Sequence, residues 1–370
     1  MKNIRIKSRP FIAFQIEPTS RCQIKCVMCP RTAFTDEWIN GDMPFSVYKK
    51  ISRYFHLVDD IHIQGWGEPL LHPEIFEMIK IAKAENCKAS LITNGVLLTP
   101  DISEKLIING IDIIAISISG ATKETHERFR CGSHFEKIVD NIRNMTHLKS
   151  KMRSKTPKLA LSFLMTKKNV KELPEAVSLA KDCGINEFVA TNLDYTPTQE
   201  QDDLKVFSCN KADLDFKNYI ETARKRASKL KIPFRVYPLE LEEVVICEMN
   251  PLQIVFISFD GCVSPCVYLN MTKKNPITRI FCGQQYQLQR LCFGNIAEKD
   301  FMEIWESDAY RDFRKTYYKR LDLINRTYID IEFGTGALNK IEDIEKLIEN
   351  RLSEQPLPEV CRTCYKAYDI

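Results

Sequence analysis

The chain has 370 residues, of which 44% are hydrophobic and 28% are charged. A typical domain has roughly 150 residues, so this length predicts two domains with room for a small third one, and the composition excludes a disordered or fibrous chain. The formal net charge of only +4 does not indicate a surface for nucleic acid or membrane, so small molecules and peptides are the expected partners.

Alternating strands and helices are predicted from the start of the chain. Apolar runs rich in β-branched residues predict strands at 11–17, 60–64, 88–93, 111–118, 158–165 and 186–191. Segments of helical periodicity separate them at 45–55, 73–85, 100–108, 135–149 and 170–182. This serial order predicts parallel strands with right-handed crossovers, in an open sheet or a barrel. Chemistry is then expected at the carboxyl ends of the strands.

The predicted strand ends carry thiols, glycines and polar side chains. In strand order they are Cys22-Gln-Ile-Lys-Cys26-Val-Met-Cys29, Gly65-Trp66-Gly67-Glu68-Pro69, Thr93-Asn94-Gly95, Ser117-Ile-Ser119-Gly120 and, after the sixth strand, Asn192. Three thiolates at this spacing can bind three irons of a [4Fe–4S] cluster and leave the fourth iron open for a substrate or cofactor. Zinc with a fourth ligand is the alternative.

The CxxxCxxC motif of Cys22, Cys26 and Cys29, followed by these loops, resembles the radical S-adenosylmethionine (radical SAM) superfamily. The resemblance spans roughly residues 10–195 and implies an α/β fold with a partial (β/α)6 TIM-like barrel. It implies that the three cysteines hold a [4Fe–4S] cluster whose open iron binds S-adenosylmethionine (SAM). SAM is then cleaved to methionine and a 5′-deoxyadenosyl radical, which abstracts a hydrogen atom from the substrate.

The same resemblance assigns SAM-binding roles to single residues. Trp66 stands where the family's GGEP motif begins with glycine, and Ser119 replaces the aspartate of the S-x-D-G pattern. The glycines have an alternative role as tight-turn residues, and the serine and asparagines as helix caps. The expected SAM contacts are Met28 at the adenine, Gly65, Gly67 and Glu68 at the methionine amino group, Asn94 at the ribose, Arg130 at the carboxylate, and Ser117 and Asn192.

A second group of cysteines follows a charged helix predicted at 211–229. Cys247, Gly261 and Cys266, and then Cys361-Arg-Thr-Cys364, resemble the twitch form of the SPASM extension of radical SAM enzymes. The resemblance implies a small cysteine-rich C-terminal domain in which Cys247, Cys266, Cys361 and Cys364 hold one auxiliary [4Fe–4S] cluster, with zinc as the alternative. The expected domains are 1–210, a helical connector at 211–246, and 247–370.

Seven further cysteines have no assigned metal role. Cys87, Cys131, Cys183 and Cys209 are isolated in the sequence and are expected to be ordinary thiols. Cys262, Cys282 and Cys292 are spare thiols of the second group. One of them is an alternative to a predicted ligand.

The function expected from this resemblance is that of a radical SAM oxidoreductase. It would oxidise, dehydrogenate or epimerise a small polar metabolite, with the auxiliary cluster handling electrons and a flavodoxin or ferredoxin as electron donor. The first strand begins by residue 11, so a leader-binding module like that of peptide-modifying relatives is not expected. Modification of a peptide or protein side chain, as in sulfatase-maturing relatives, and a non-catalytic Fe–S or zinc protein are the alternatives. With no long apolar run, the expected location is cytoplasmic.

Overall fold

The computed structural model of the chain describes residues 9–210, 212–333 and 341–370. Its strands are β1 (Phe11–Ile16), β2 (Lys25–Cys26), β3 (Val58–Ile63), β4 (Lys88–Thr93), β5 (Ile113–Ile118), β6 (Arg130–Cys131), β7 (Lys158–Met165), β8 (Glu187–Asn192), β9 (Phe234–Val236), β10 (Ile254–Ile257), β11 (Cys262–Ser264), β12 (Ile277–Phe281), β13 (Gln284–Leu288) and β14 (Gly294–Asn295). Its α-helices are α1 (Pro30–Ala33), α2 (Phe45–Ser52), α3 (Ile75–Ala84), α4 (Pro100–Ile108), α5 (Lys123–Phe129), α6 (Phe135–Lys151), α7 (Leu173–Asp182), α8 (Gln199–Asp202), α9 (Leu214–Leu230), α10 (Phe301–Trp305), α11 (Asp308–Phe333) and α12 (Ile341–Glu354).

The six predicted barrel strands form one parallel set. They are neighbours in the order β1, β3, β4, β5, β7, β8, and every pair among them is parallel. Helices α3, α4, α6 and α7 lie in sequence between these strands, as parallel crossovers require. The predicted α/β fold, a partial (β/α)6 TIM-like barrel with a C-terminal cysteine-rich segment, is confirmed.

The two faces of these strands have different environments. Along β7 the burial alternates: Leu159, Leu161, Phe163 and Met165 are fully buried in the large apolar core, whereas the residues between them are half-buried. Successive side chains of a strand point to opposite faces, so one face packs on the helices and the other is free to line a cavity. Leu164 belongs to this second face and does line one.

The parallel set extends beyond the six predicted strands at both edges. The segment predicted as a helical connector contains α9 and also β9, which pairs in parallel with β8. At the opposite edge β10 pairs in parallel with β1, followed by the antiparallel strands β11 and β14. The sheet therefore continues through the predicted connector and into the predicted C-terminal domain.

The rest of the C-terminal segment packs around a small apolar core of its own. Strands β12 and β13 form an antiparallel hairpin. Arg320 of α11 is fully buried and donates to the carbonyl oxygens of Val244 and Gln355, which joins the end of the connector to the tail. No helix among the described residues is long and apolar enough to cross a membrane. The small core consists of Leu252, Leu269, Tyr317, Leu357, Cys361 and Ala367.

Two disulfides correct the expectations for the remaining cysteines. Cys209, expected to be an ordinary thiol, is bonded to Cys282, and Cys262 is bonded to Cys292. The three spare thiols of the second group are therefore paired in this structure and do not replace a predicted ligand. Cys87, Cys131 and Cys183 are free, as expected.

Candidate active site

A cavity of about 340 Å³ lies among the loops that follow the parallel strands. All three cysteines of the CxxxCxxC motif line it. Seven of the eight residues predicted to contact SAM line it as well, which brings residues from five separate segments of the chain to one place. These seven are Met28, Gly65, Gly67, Glu68, Asn94, Ser117 and Arg130.

The cysteine loop is held by backbone pairing. Strand β2 pairs with β6, so Cys26 lies opposite Arg130. Cys22, Cys26 and Cys29 are free thiols. Burial raises the pKa of the Cys29 thiol to about 12, and it also raises the pKa values of Cys22 and Cys26. Iron binds thiolates, so three neighbouring thiols of raised pKa would release their protons when a cluster is bound. The residues therefore fit an iron–sulfur cluster.

Glu68 joins two of the loops around the cavity. Its Oε1 accepts the Thr93 hydroxyl at 2.8 Å and the Leu70 N–H at 3.2 Å, and its Oε2 accepts the Asn94 N–H at 2.8 Å. Burial raises the pKa of this carboxyl to about 7, against the lowering effect of these hydrogen bonds. Both oxygens are already engaged by protein donors. Glu68 thus acts on the cavity chiefly by positioning Asn94, whose Nδ2 lies 3.6 Å from the Cys22 Sγ.

Arg130 is a buried cation at the cysteine loop. Its Nε donates to the Ser119 Oγ at 2.9 Å, and its Nη1 lies 3.9 Å from the Cys26 Sγ. Ser119 is the residue that departs from the family's aspartate, and the structure shows that the hydroxyl orients the guanidinium without neutralising its charge. Burial, assisted by Arg130, lowers the pKa of nearby His126 to about 3, so that histidine is neutral near pH 7.

The two glycines of the second loop are required by close packing. A Cβ at Gly67 would lie 2.1 Å from the carbonyl oxygen of Thr19, and one at Gly65 would lie 2.4 Å from the Glu17 Cγ. Both neighbours belong to the segment that directly follows β1. This packing explains the glycines without a cofactor contact, and it places their backbone at the cavity wall.

Trp66 uses its side chain to join the two parts of the chain. Its indole Nε1 donates to the carbonyl oxygen of Val267 at 3.2 Å, directly after Cys266. Its ring also contacts those of Tyr195 and Tyr268, with centroids 5.9 and 6.0 Å away. The departure from the family's first glycine therefore adds an aromatic wall between the cavity and the second cysteine group.

Asn192 lies outside the cavity lining. It is buried at the end of β8, and its Nδ2 donates to the carbonyl oxygen of Pro238 at 2.7 Å. The three residues that follow, Leu193, Asp194 and Tyr195, line the cavity in its place. These residues could have been identified from the sequence if the two or three residues after each predicted strand had been included in the strand end.

Asp194 is a cavity residue that the sequence analysis missed. Its Oδ2 accepts the Tyr268 hydroxyl at 2.9 Å and pairs with the Lys366 Nζ at 2.8 Å. Lys366 also pairs with Glu248 at 2.6 Å. Because Glu248 follows Cys247 and Lys366 lies two residues after Cys364, this carboxylate connects the cavity to the second cysteine group.

The four cysteines of the second group are also free thiols close to one another. Burial, together with the charges of neighbouring cysteines, raises the pKa values of Cys247 and Cys361 to about 12. For Cys266, burial is again the largest cause of a raised pKa, followed by the charges of Cys364, Cys361 and Cys247. The fold thus gathers thiols that are roughly 100 residues apart in the chain, a long loop to close.

The surroundings of this second group fit an anionic multi-thiolate group. Arg279 is buried, and its Nη1 has no hydrogen-bond partner in the described part of the chain. A buried cation is costly without an anion, and thiolates bound to metal would supply one. No three His, Cys, Asp or Glu side chains among the described residues are arranged to hold one metal ion.

Two family models match the chain. The radical SAM superfamily model matches residues 16–180, and that of SPASM, an iron–sulfur cluster-binding domain, matches residues 247–326. The chain belongs to the radical SAM superfamily. This radical SAM enzyme carries a C-terminal SPASM domain, and the two domains imply a SAM-binding [4Fe–4S] cluster, SAM itself and auxiliary iron–sulfur binding. Cys361 and Cys364 lie beyond the matched residues.

Proteins similar to this radical SAM enzyme are named for different activities. A tungsten-containing aldehyde ferredoxin oxidoreductase cofactor-modifying protein of Pyrococcus furiosus is 27% identical over 305 residues, which are 81% of this chain and 82% of the relative. An AdoMet-dependent heme synthase of Methanosarcina barkeri is 27% identical over 321 residues, 80% of this chain and 83% of that one. Streptococcus suis SuiB bound to precursor peptide SuiA matches with a TM-score of 0.58 and 17% identity over 81% of this chain, which spans only 66% of SuiB.

Replacing Arg130 by alanine should weaken SAM binding without removing iron. A hydrogen bond to a charged group contributes about 1.5–3 kcal/mol, so the dissociation constant of SAM should rise roughly 10- to 100-fold. Equilibrium dialysis of the reconstituted protein with labelled SAM measures the change, and iron analysis of the same sample is the control. Arg130→Lys should recover part of the affinity because it keeps the charge. Loss of iron from Arg130→Ala would instead show that Arg130 has a structural role in the cysteine loop.

Proposed function

We propose that this radical SAM enzyme is an oxidoreductase that oxidises, dehydrogenates or epimerises a small polar metabolite. The observation that carries the proposal is the connection of the cavity to two groups of free thiols. Cys22, Cys26 and Cys29 line the cavity directly, and the Asp194–Lys366 ion pair links it to the group formed by the four C-terminal cysteines.

In this proposal the first three cysteines hold one [4Fe–4S] cluster and the last four hold a single auxiliary cluster. When bound, SAM and the first cluster supply a 5′-deoxyadenosyl radical, and the auxiliary cluster accepts an electron. The SAM contacts are the seven cavity residues named above. Asn192, with its amide donating to Pro238, would act through the position of Asp194 two residues later.

Asp194 is proposed to face the substrate. Its bonds to Tyr268 and Lys366 both use Oδ2, which leaves Oδ1 to accept a hydrogen bond or a proton from a polar substrate. Such an acceptor suits the oxidation of a hydroxyl-bearing carbon, which releases a proton together with an electron.

The identities of the relatives favour a small substrate over a peptide. One is named as a cofactor-modifying protein and one as a heme synthase, and both share more sequence with this chain than SuiB does. Modification of a peptide or protein side chain is the second candidate, because the fold is shared with SuiB in its peptide complex. A non-catalytic Fe–S or zinc protein is a weaker third candidate.

The remaining parts of the proposal concern organisation and partners. The domains are 1–210, 211–246 and 247–370, with the middle segment adding β9 to the barrel sheet. A flavodoxin or ferredoxin would donate the electron that SAM cleavage needs. We propose a cytoplasmic location.

The test is anaerobic reconstitution with iron and sulfide, followed by SAM cleavage in the presence of candidate substrates. We expect deuterated polyols or aminocyclitols to transfer deuterium to 5′-deoxyadenosine and to yield a product oxidised by two electrons or epimerised. Asp194→Asn should keep SAM cleavage and lose the oxidised product, whereas Asp203→Asn, at an exposed carboxylate beyond the cavity lining, should behave as wild type. Deuterium transfer only from peptides would favour the second candidate, and absence of SAM cleavage the third.

A further inference from the structure

One buried cation lies between the cavity wall and the second cysteine group. Arg279 belongs to β12, the first strand of the hairpin, and is only 2% exposed. Its Nε and Nη2 both donate to the Thr363 Oγ1, at 3.0 and 2.6 Å, and its Nη2 also donates to the carbonyl oxygen of Val360. Thr363 lies between Cys361 and Cys364, so the guanidinium is fixed directly against this CxxC turn.

Arg279 differs from Lys366 and Arg320, two other buried cations of this region, in lacking a carboxylate. Lys366 pairs with Asp194 and Glu248, and Arg320 pairs with Glu243. Within the described residues, Arg279 has no such ion pair, and its buried Nη1 makes no hydrogen bond. Burying a charge costs free energy unless an opposite charge compensates it. Its hydrogen bonds go instead to Val360 and Thr363, on either side of Cys361 in the turn that carries the thiols of Cys361 and Cys364.

We propose that Arg279 sets the reduction potential of the auxiliary cluster and makes that cluster a better electron acceptor. The inference rests on the proposed function, in which the four C-terminal cysteines hold this cluster. Four thiolates on a [4Fe–4S] core give a net negative charge that increases by one on reduction. A fixed positive charge beside the cluster stabilises the reduced form more than the oxidised form. Net charge and hydrogen bonds to sulfur are general determinants of cluster potential.

The position of Arg279 also places this cation next to the cavity. The carbonyl oxygen of the preceding residue, Thr278, accepts a hydrogen bond from the Tyr195 hydroxyl at 2.6 Å. Tyr195 lines the cavity. Strand β12 thus contacts the cavity wall through one residue and the CxxC turn through the next. Arg279 is a positioning and tuning residue and not a catalytic one, because it touches the turn and not the substrate.

The test is a redox titration of the full-length reconstituted protein, followed by electron paramagnetic resonance with and without SAM. The signal that SAM changes belongs to the first cluster, and the signal that it leaves unchanged belongs to the auxiliary cluster. Arg279→Gln should lower the equilibrium constant for reduction of the auxiliary cluster at least roughly tenfold, which is about 59 mV for one electron. The potential of the first cluster should not move and is the internal control.

Two further variants separate charge from structure. Arg279→Lys keeps the positive charge and should keep most of the wild-type potential. Arg290→Gln removes another arginine of the same segment, one paired with Asp260, and should leave the potential unchanged.

An unchanged potential in Arg279→Gln, with both clusters present, would overturn the inference and leave the proposed function intact. An equal shift in Arg279→Lys, or loss of the auxiliary cluster in both variants, would make Arg279 a structural residue and overturn it as well. A wild-type protein without a second, SAM-insensitive iron signal would contradict the proposed function itself.

Discussion

Replacing Cys22, Cys26 and Cys29 together by alanine should halve the iron content and abolish formation of 5′-deoxyadenosine. The reconstituted wild type should hold about eight irons per chain, four for each group of cysteines, and the variant about four. The first cluster is the group that would supply the electron to SAM, so its loss should stop cleavage. Iron and sulfide analysis, with chromatography of the SAM cleavage products, measures both effects.

The variant should remain folded, because the three thiols contribute little to the packing of the barrel. The loop is held by the pairing of β2 with β6 and by a small apolar cluster that includes Ile24, Met28 and Phe129. Cys131→Ala is the matched control, since this exposed free thiol lies in β6 beside Arg130. It should keep all iron and full cleavage. Unchanged 5′-deoxyadenosine in the triple variant would refute the assignment of these cysteines to the radical cluster.

The barrel could be predicted because its strands carry a strong local signal. Runs such as Lys158–Met165 and Lys88–Thr93 begin and end where the sequence predicts. Short apolar stretches rich in β-branched residues, placed between helical segments, favour β-strands. The predicted bounds of other strands differ only slightly from the observed ones. The strand predicted at 60–64 is Val58–Ile63 and the one predicted at 111–118 is Ile113–Ile118.

Strands β9 and β10 were not predicted. They have only three and four residues, too few for a periodic pattern to stand out from a loop. Their conformation depends on pairing with β8 and β1, which are distant in sequence. Long-range pairing of this kind determines that the predicted connector and C-terminal domain share the barrel sheet.

The site could be predicted as a set of loops but not as a network of contacts. The strand-end rule brings together Glu68, Asn94 and Arg130, and all three line the cavity. The rule does not show that Glu68 directs both carboxylate oxygens to protein donors. Nor does it reveal Asp194 or Arg279, because their roles depend on Lys366 and Thr363, which lie far away in the sequence.

The second large effect is expected from replacing Cys361 and Cys364 together by alanine. Iron should fall by about half, to about four per chain, while SAM cleavage without product should persist in some measure. Oxidation of the substrate should stop, because the substrate radical loses its electron acceptor. Product analysis and 5′-deoxyadenosine must be measured in the same preparation.

This variant also tests whether the C-terminal metal is more than a structural link. A metal shared by cysteines roughly 100 residues apart restricts the unfolded chain and stabilises the folded one, so the thermal unfolding midpoint should fall too. Cys361 belongs to the small apolar core, and alanine there keeps an apolar residue. Replacing Cys209 and Cys282 together is the matched control, because that disulfide joins distant segments and contains none of the proposed cluster ligands. It should keep all iron and the oxidised product. A wild type with about four irons and with zinc at the C-terminal cysteines would refute the electron-transfer role and leave a structural metal site.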